Sequence, residues 1–231
     1  MKPRKSVRKK APGTAAEPGQ SLTERAYGHL EEMIVTLQLP PGSAVSETLL
    51  SQRLGIGRTP IREALQRLAR ERLVTILPRR GIIVSEINVK TQLRLLEARR
   101  EVERLVAKSA ARRATPEERE QFLELARRFE KSAKTNDDVS FMRVDREFNE
   151  LSVAAARNEF AAGAMSLMHS LSRRFWYIHY KQAADMPLTA KLHADIARSI
   201  GAGDEAAAGK LMDKLLDTVA KFTRDTVTTD F

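Results

Sequence analysis

The stretch Gly57 to Arg70, GRTPIREALQRLAR, holds a proline near its start and yet has the apolar spacing of a helix. Ile61, Ala64, Leu65 and Leu68 recur at three- and four-residue intervals, which stacks them into one stripe on a 3.6-residue repeat. Arg58, Arg62 and Gln66, four apart, project from a different side. With Thr59 as N-cap, Pro60 takes the first helical position, where its missing N–H has no intrahelical partner to lose. One face of this helix is made for burial and the other presents long polar side chains.

The flanking sequence gives the helix its neighbours. Upstream, Ser21-Leu22-Thr23-Glu24 is a capping box, and Ala26, Leu30, Met33, Ile34 and Leu37 follow at helical spacing. Pro40-Pro41-Gly42 stops that helix, Ser46 caps a short second one with Leu49, Leu50 and Leu54 on its buried side, and Gly55-Ile56-Gly57 makes a tight turn. Downstream, the β-prone runs 73–77 and 82–84 flank Pro78-Arg79-Arg80-Gly81, a hairpin with a basic tip. Helix, helix, turn, helix and a two-stranded wing is the order of a winged helix-turn-helix, which places a basic tail at residues 1–20 and the winged unit at 21–88.

From residue 89 to 231 no strand pattern is visible, and the spacing predicts six helices in an all-α bundle. They run from near Asn88, from Thr115-Pro116-Glu117-Glu118, from after Asn136-Asp137-Asp138, from about Asn158 to Tyr180, from Leu188 to Ile200 and from Asp204 to Asp225. Gly201 and Gly203 mark the last break. The fold class is therefore mainly α, and the wing joins the bundle near Asn88 without a flexible linker. Met165 and Met168 read as core, and His169, His179 and Trp176 as packing or surface residues.

The formal net charge is +10, with a net +5 in residues 1–20, +2 in 21–88 and +3 in 89–231. Such a balance favours polyanionic partners. The tail reads either as a basic arm on nucleic acid or as a solubilising segment. The absence of cysteine excludes disulfides and thiolate metal sites. No apolar run approaches a membrane span and the basic start lacks an apolar h-region, so the sequence is read as a soluble cytoplasmic protein with no membrane partner.

The DNA major groove admits a helix; Arg matches the O6 and N7 acceptors of guanine, and Gln can pair with adenine. Arg58, Thr59, Arg62 and Gln66 thus form a candidate reading head, and Arg79, Arg80 and Gly81 a wing tip for phosphate or the minor groove, with Gly81 free to take a positive φ. Arg67, four from both Glu63 and Glu71, is assigned to helix-surface ion pairs and not to the reading head.

The segment PPGSAVSETLLSQRLGIGRTPIREALQRLARERLVTILPRRGIIV, within Leu22 to Ile87, resembles the GntR family of bacterial transcription regulators, in which a Pro-Gly turn, a short helix, an Arg-Thr-Pro-x-Arg-Glu-Ala-Leu helix and a Gly-tipped wing recur. Gly57 departs from the serine usual there. The remainder resembles the FadR-type (FCD) effector domain through LLEARREVERLVAKSAARRA, DREFNELSVAAARN and KLHADIARSIGAGDEAAAGKLM. That resemblance implies a homodimeric regulator, commonly a repressor, that binds a palindromic operator on double-stranded DNA and answers to a small-molecule effector.

Many such domains hold a metal through one Asp and three His. Here the matching positions are Asp145, Asn149, His193 and Leu215, so no metal is expected. If a divalent metal is held, Asp145, His193 and Asn149 are its ligands. The expected effector pocket comprises Arg99, Asp145, Asn149 and His193, with Arg99 available to the carboxylate of an organic acid. Two other classes stand beside this reading: a non-specific architectural DNA-binding protein, which leaves the bundle without a purpose, and an enzyme using Asp145 and His193 as an acid-base pair, for which no nucleophile motif or phosphate loop is present. No catalytic residue is therefore assigned.

Overall fold

The computed structural model describes residues 20–77, 79, 81–135, 137–183 and 185–228. Arg80 and all of the basic tail but Gln20 lie outside the described residues. The first unit runs α1 (Leu22–Val35), β1 (Ala44–Val45), α2 (Glu47–Leu54), α3 (Arg58–Arg70), β2 (Val74–Leu77) and β3 (Gly81–Val84). Ser21 caps α1 through the reciprocal box with Glu24, and the Ser46 side chain accepts from the Leu49 amide at the start of α2. Ile61, Ala64, Leu65 and Leu68 of α3 are all buried, packed with Leu30 and Ile34 of α1 and with Leu73 and Val84 of the wing.

Three details differ from the sequence reading. Gly57, not Thr59, is the N-cap of α3, and it has no side-chain cap bond. Pro60 is then the third helical residue. The first ladder bond is Ile61 N–H to Gly57 C=O at 3.3 Å, so the proline still sacrifices no donor. Leu49 is 66% exposed while Leu50 is buried: an eight-residue helix lying on one neighbour has a single inward face, and a shift of one residue turns a side chain about 100° away from it. The wing also gains a third strand. β1 pairs antiparallel with β3, Ala44 opposite Ile83 and Val45 opposite Ile82, giving the order β1-β3-β2. Two residues are too few to show a period-2 pattern.

The second unit contains α4 (Val89–Arg113), α5 (Pro116–Thr135), α6 (Asp138–Ala156), α7 (Glu159–Ser166), α8 (His169–Ala183), α9 (Met186–Ala202) and α10 (Glu205–Thr228). Thr115 and Glu118 close the expected capping box at the start of α5. The single helix expected over 158–180 is two. Hydrogen bonds from the Leu167 N–H to the Ala164 carbonyl and from the Met168 N–H to the Met165 carbonyl tighten the chain into a three-residue turn. Met165 and Met168 stay buried with Val106 and Ala161, while α8 sets off in a new direction. No glycine or proline announces that turn. Asp185 accepts from the Leu188 amide, so the Asp-Met-Pro segment starts α9 as well as separating it from α8. Gly203, at φ 77°, is the C-cap of α9. Gly201 lies inside α9 because a Cβ there would come within 3.0 Å of Leu123 on α5.

The two units are built around different cores and are linked along the chain by residues 85–88. Arg174 of α8, 2% exposed, donates to the Ser85 carbonyl at 2.8 Å and the Glu86 carbonyl at 3.3 Å. Burial pushes this guanidinium down to about 10, against the pull of Glu86. Asn88 then caps α4 through the Thr91 amide. A further seam sets Leu171 of α8 against the core of the first unit and Val35 of α1 against that of the bundle.

Candidate functional site

On the head, α3 and the wing enclose an open groove of about 540 Å³. Arg58, Arg62, Gln66, Arg79 and Gly81 all line it, so the helix and wing residues singled out from sequence share one surface. Thr59 is exposed at the start of α3 but does not line the groove. Gly81 adopts φ 103°, the left-handed region that the tip was expected to need. Arg79 also has a positive φ, 61°.

The sequence reading missed the state of Arg62. Its guanidinium forms a fork on Glu47 of α2, with Nε to Oε1 at 3.0 Å and Nη2 to Oε2 at 2.8 Å. The hydrogen bond from Arg62 holds the Glu47 carboxyl below its ordinary value. Glu47 is fifteen residues from Arg62, and no local spacing rule connects them. The carboxylate fixes the direction of the fork at the mouth of the groove.

Arg67 makes the expected i,i+4 pair with Glu71 at 3.1 Å, but Glu63 instead accepts from Thr23 at 2.6 Å. The Arg67 guanidinium also lies over the Tyr27 ring, 3.7 Å from its centroid. The Tyr27 hydroxyl donates to Glu71 at 2.8 Å. Burial, then the nearby Glu71 carboxylate, raises the Tyr27 phenol.

Inside the bundle, Arg99 of α4, Asp145 and Asn149 of α6 and His193 of α9 line a single cavity of about 50 Å³. Asp145 and Asn149 share a face because four residues nearly complete a turn. His193 Nε2 stands 3.2 Å from Asp145 Oδ1, and Nδ1 lies 2.8 Å from the Thr189 carbonyl. Since a carbonyl only accepts, Nδ1 carries a proton, and Nε2 completes a hydrogen bond to Asp145 only when it is protonated too. The rings of Phe129, Phe141 and Phe148 surround the imidazole at 4.9 to 5.7 Å between centroids. Burial alone would raise the Asp145 carboxyl, but the hydrogen bond and charge of His193, with Arg173, hold it below its ordinary value.

Four lining residues from α8 were missed: His169, Ser172, Arg173 and Trp176. Their spacing of three, four and seven is a helical stripe, but a polar one, which a search for apolar periodicity passes over. Both His169 and Trp176 had been assigned to packing or surface. Arg99 pairs with Glu103 at 2.5 Å and donates to Ser172 Oγ. Burial, then the charge of Arg99, pushes His169 down to about 3, so it is neutral around pH 7.

The donor set does not fit a resident transition metal. Leu215 lines the cavity at the fourth position, and the Arg173 guanidinium lies 3.7 Å from Asp145 Oδ2, where a second cation would be repelled. Among the described residues, no three His, Cys, Asp or Glu side chains converge to hold an ion.

Comparison with known proteins supplies the family. The pattern described as "Bacterial regulatory proteins, gntR family" matches residues 22–84, and that of the FCD domain matches residues 94–218. The HTH-type transcriptional repressor RspR of Escherichia coli K12 is 26% identical over 211 residues, 91% of this chain and 92% of that one. The Nta operon transcriptional regulator of Aminobacter aminovorans is 27% identical over 203 residues, 85% and 93% of the two chains. In fold, the chain is similar to Escherichia coli McbR/YncC, with a TM-score of 0.77 at 18% identity over 90% of this chain and 99% of that one. It is also similar to a putative GntR regulator from Rhodococcus sp. RHA1, with a TM-score of 0.66 at 21% identity over 88% and 97%. Among the described residues no helix is long and apolar enough to cross a membrane. With the winged head matched by one pattern and more than half of the chain by the other, the protein belongs to the GntR family of DNA-binding transcriptional regulators, in its FCD-domain branch.

Proposed function

We propose that this regulator is a homodimeric, cytoplasmic repressor whose hold on a palindromic operator is set by a small organic acid bound in the bundle. Residues 21–88 read the DNA, and residues 89–231 bind the effector and form the dimer. Arg58, Arg62 and Gln66 contact bases, Thr59, Arg79 and Arg80 contact phosphate or the minor groove, and Gly81 lets the wing approach closely. Arg99, with Asp145, Asn149 and His193, receives the effector without a metal.

The observation that carries this reading is the position of α8. Ser172 faces the cavity, while the next two residues reach the head: Arg173 donates to Glu31 of α1 at 2.8 Å and Arg174 to the carbonyls after β3. A ligand that favours one setting of α8 therefore favours one placement of the reading head. An effector shifts that equilibrium by no more than its differential affinity, commonly 5- to 150-fold, about 1–3 kcal/mol. A non-specific architectural protein has no use for such a connection. The Asp145 and His193 pair that an enzyme would use is already engaged, His193 with the Thr189 carbonyl and with Asp145.

The test uses full-length protein and an operator selected by the protein from random duplex DNA. Arg62→Ala is expected to cost about 1–3 kcal/mol on that operator and to blur its sequence preference; equal weakening on all DNA would make Arg62 a phosphate contact. Carboxylic acids that stabilise the wild-type protein, but not Arg99→Ala, and that change operator affinity would support the effector assignment. Stoichiometric metal in natively purified protein would overturn its metal-free form.

A further inference from the structure

The inner cavity is narrow. At about 50 Å³ it is the smaller of two adjoining cavities. Behind it lies a second cavity of about 350 Å³, between the bundle and the DNA-binding head. The two share a wall of Asn149, His169 and Arg173. Tyr27, Glu31 and Arg67 of the head close the far side of the cleft, and Val153, Ala162 and Met165 give it an apolar flank.

Of the residues lining this cleft, two have a buried polar atom that makes no hydrogen bond. One is the acceptor Glu31 Oε2, on a residue only 3% exposed, and the other is the donor Arg173 Nε. Their nearest ion-pair partners stand off, Arg146 at 3.8 Å from the first and Asp145 at 3.7 Å from the second. A buried donor or acceptor left without a partner forfeits the hydrogen bond it had in water. One calls for a ligand that donates and the other for a ligand that accepts.

The surrounding charge narrows the class. Arg99, Arg146 and Arg173 are set against Glu31, Glu103, Asp145 and Glu150, and Arg67 is matched by Glu71. With the charge that His193 places beside Asp145 the two signs come close to balance, so a ligand adding only negative charge would upset it. A zwitterion adds none.

We propose that the inner cavity and the interdomain cleft form one two-compartment site for an amino carboxylate, its carboxylate received by Arg173 Nε and Arg99 and its ammonium by Glu31 Oε2. The apolar flank takes the ligand's side chain. Because Glu31 belongs to α1 of the head, the effector touches the DNA-binding unit directly and ties it to the bundle. This rests on the bundle being an effector domain, and it adds the ligand class and the second compartment.

The experiment titrates full-length protein with the protein amino acids and β-alanine, each beside the carboxylic acid that lacks its amine. Binding is read from the fluorescence of Trp176, the sole tryptophan, which lines the inner cavity. The expected result is an amino carboxylate that binds at least about tenfold more tightly than its amine-free partner. Glu31→Gln should bring the two together by weakening only the amino carboxylate, and Arg99→Ala should weaken both. Ala154→Phe, at an exposed position on the cleft wall, provides a second blockade that leaves the ion pairs in place and should weaken the amino carboxylate and, where the acid has a side chain, its amine-free partner too.

Amine-free acids binding as well as amino acids, or affinities indifferent to both Glu31→Gln and Ala154→Phe, would overturn the two-compartment site. In that outcome, Arg99-dependent binding of a plain acid would leave the inner-pocket effector reading standing. No binding anywhere in the panel would overturn the proposal, and if the carboxylic-acid screen were also blank, the effector reading would fall with it.

Discussion

Arg62 and Glu47 show how one side chain acquires two tasks. The fork on Glu47 holds a long, flexible arginine in one orientation, so on the proposed reading less rotamer entropy remains to be lost when DNA binds. Glu47→Gln should remove this preorganisation along with a negative charge that repels phosphate. The expected outcome is stronger binding to random DNA and a smaller ratio of operator to random affinity, measured by anisotropy at fixed salt; an unchanged ratio would leave Glu47 without a positioning role. His169 carries a prediction about pH. Its folded value of about 3 lies below the ordinary 6.5, so below pH 6.5 the unfolded chain takes up a proton that the folded protein refuses. Stability should fall as pH drops from about 6.5 toward 3, by at most about 1.4 kcal/mol per pH unit. Denaturant midpoints across this range should fall less steeply for His169→Gln than for the parent. Neither residue's behaviour was legible locally: the Glu47 partner is a turn and a helix away, and a polar stripe on α8 sends no hydrophobic signal.

At the scale of elements, α3 and α8 contrast. The inward stripe, outward face and first-turn proline of α3 were all readable, because an amphipathic helix writes its environment into a 3.6-residue repeat. Only its cap was displaced, by two residues, since glycine's backbone carbonyl supplies the first ladder acceptor without any side-chain signature. The start of α8 was not readable. Its turn at Leu167 and Met168 uses ordinary residues, and the gain that holds it, burial of Met165 and Met168 beneath α4, is tertiary. From that turn α8 sends Arg174 to the carbonyls of Ser85 and Glu86. Arg174→Met keeps much of the buried volume but removes both bonds. The wild-type protein should melt in one transition and the variant in two, followed by calorimetry, as the head loses one of its polar anchors to the bundle. A single transition in the variant would place the coupling in the α1 seam instead.

For the whole molecule, the proposed two-fold symmetry fixes a geometric test. If two linked heads read two half-sites, inserting about five base pairs, half a helical turn, between the half-sites puts one of them on the opposite face of the duplex. Tight binding should collapse to single-site strength and return when a full turn is inserted; equal affinity at every spacing would mean that the heads act independently.

The sequence by itself determined the winged head, the all-α remainder and the candidate DNA-contact residues, because local periodicity, caps and turns report which face of each element is buried. It also brought Arg99, Asp145, Asn149 and His193 under suspicion together, through resemblance to a family. Only the tertiary structure decided what those residues meet: Arg173 beside Asp145, Leu215 at the fourth position, and Glu31 of the head reaching the back of the pocket. These contacts join residues as far as 142 positions apart. Their chemistry depends on burial and on ion-pair distances of a few ångströms, quantities that no spacing along the chain contains.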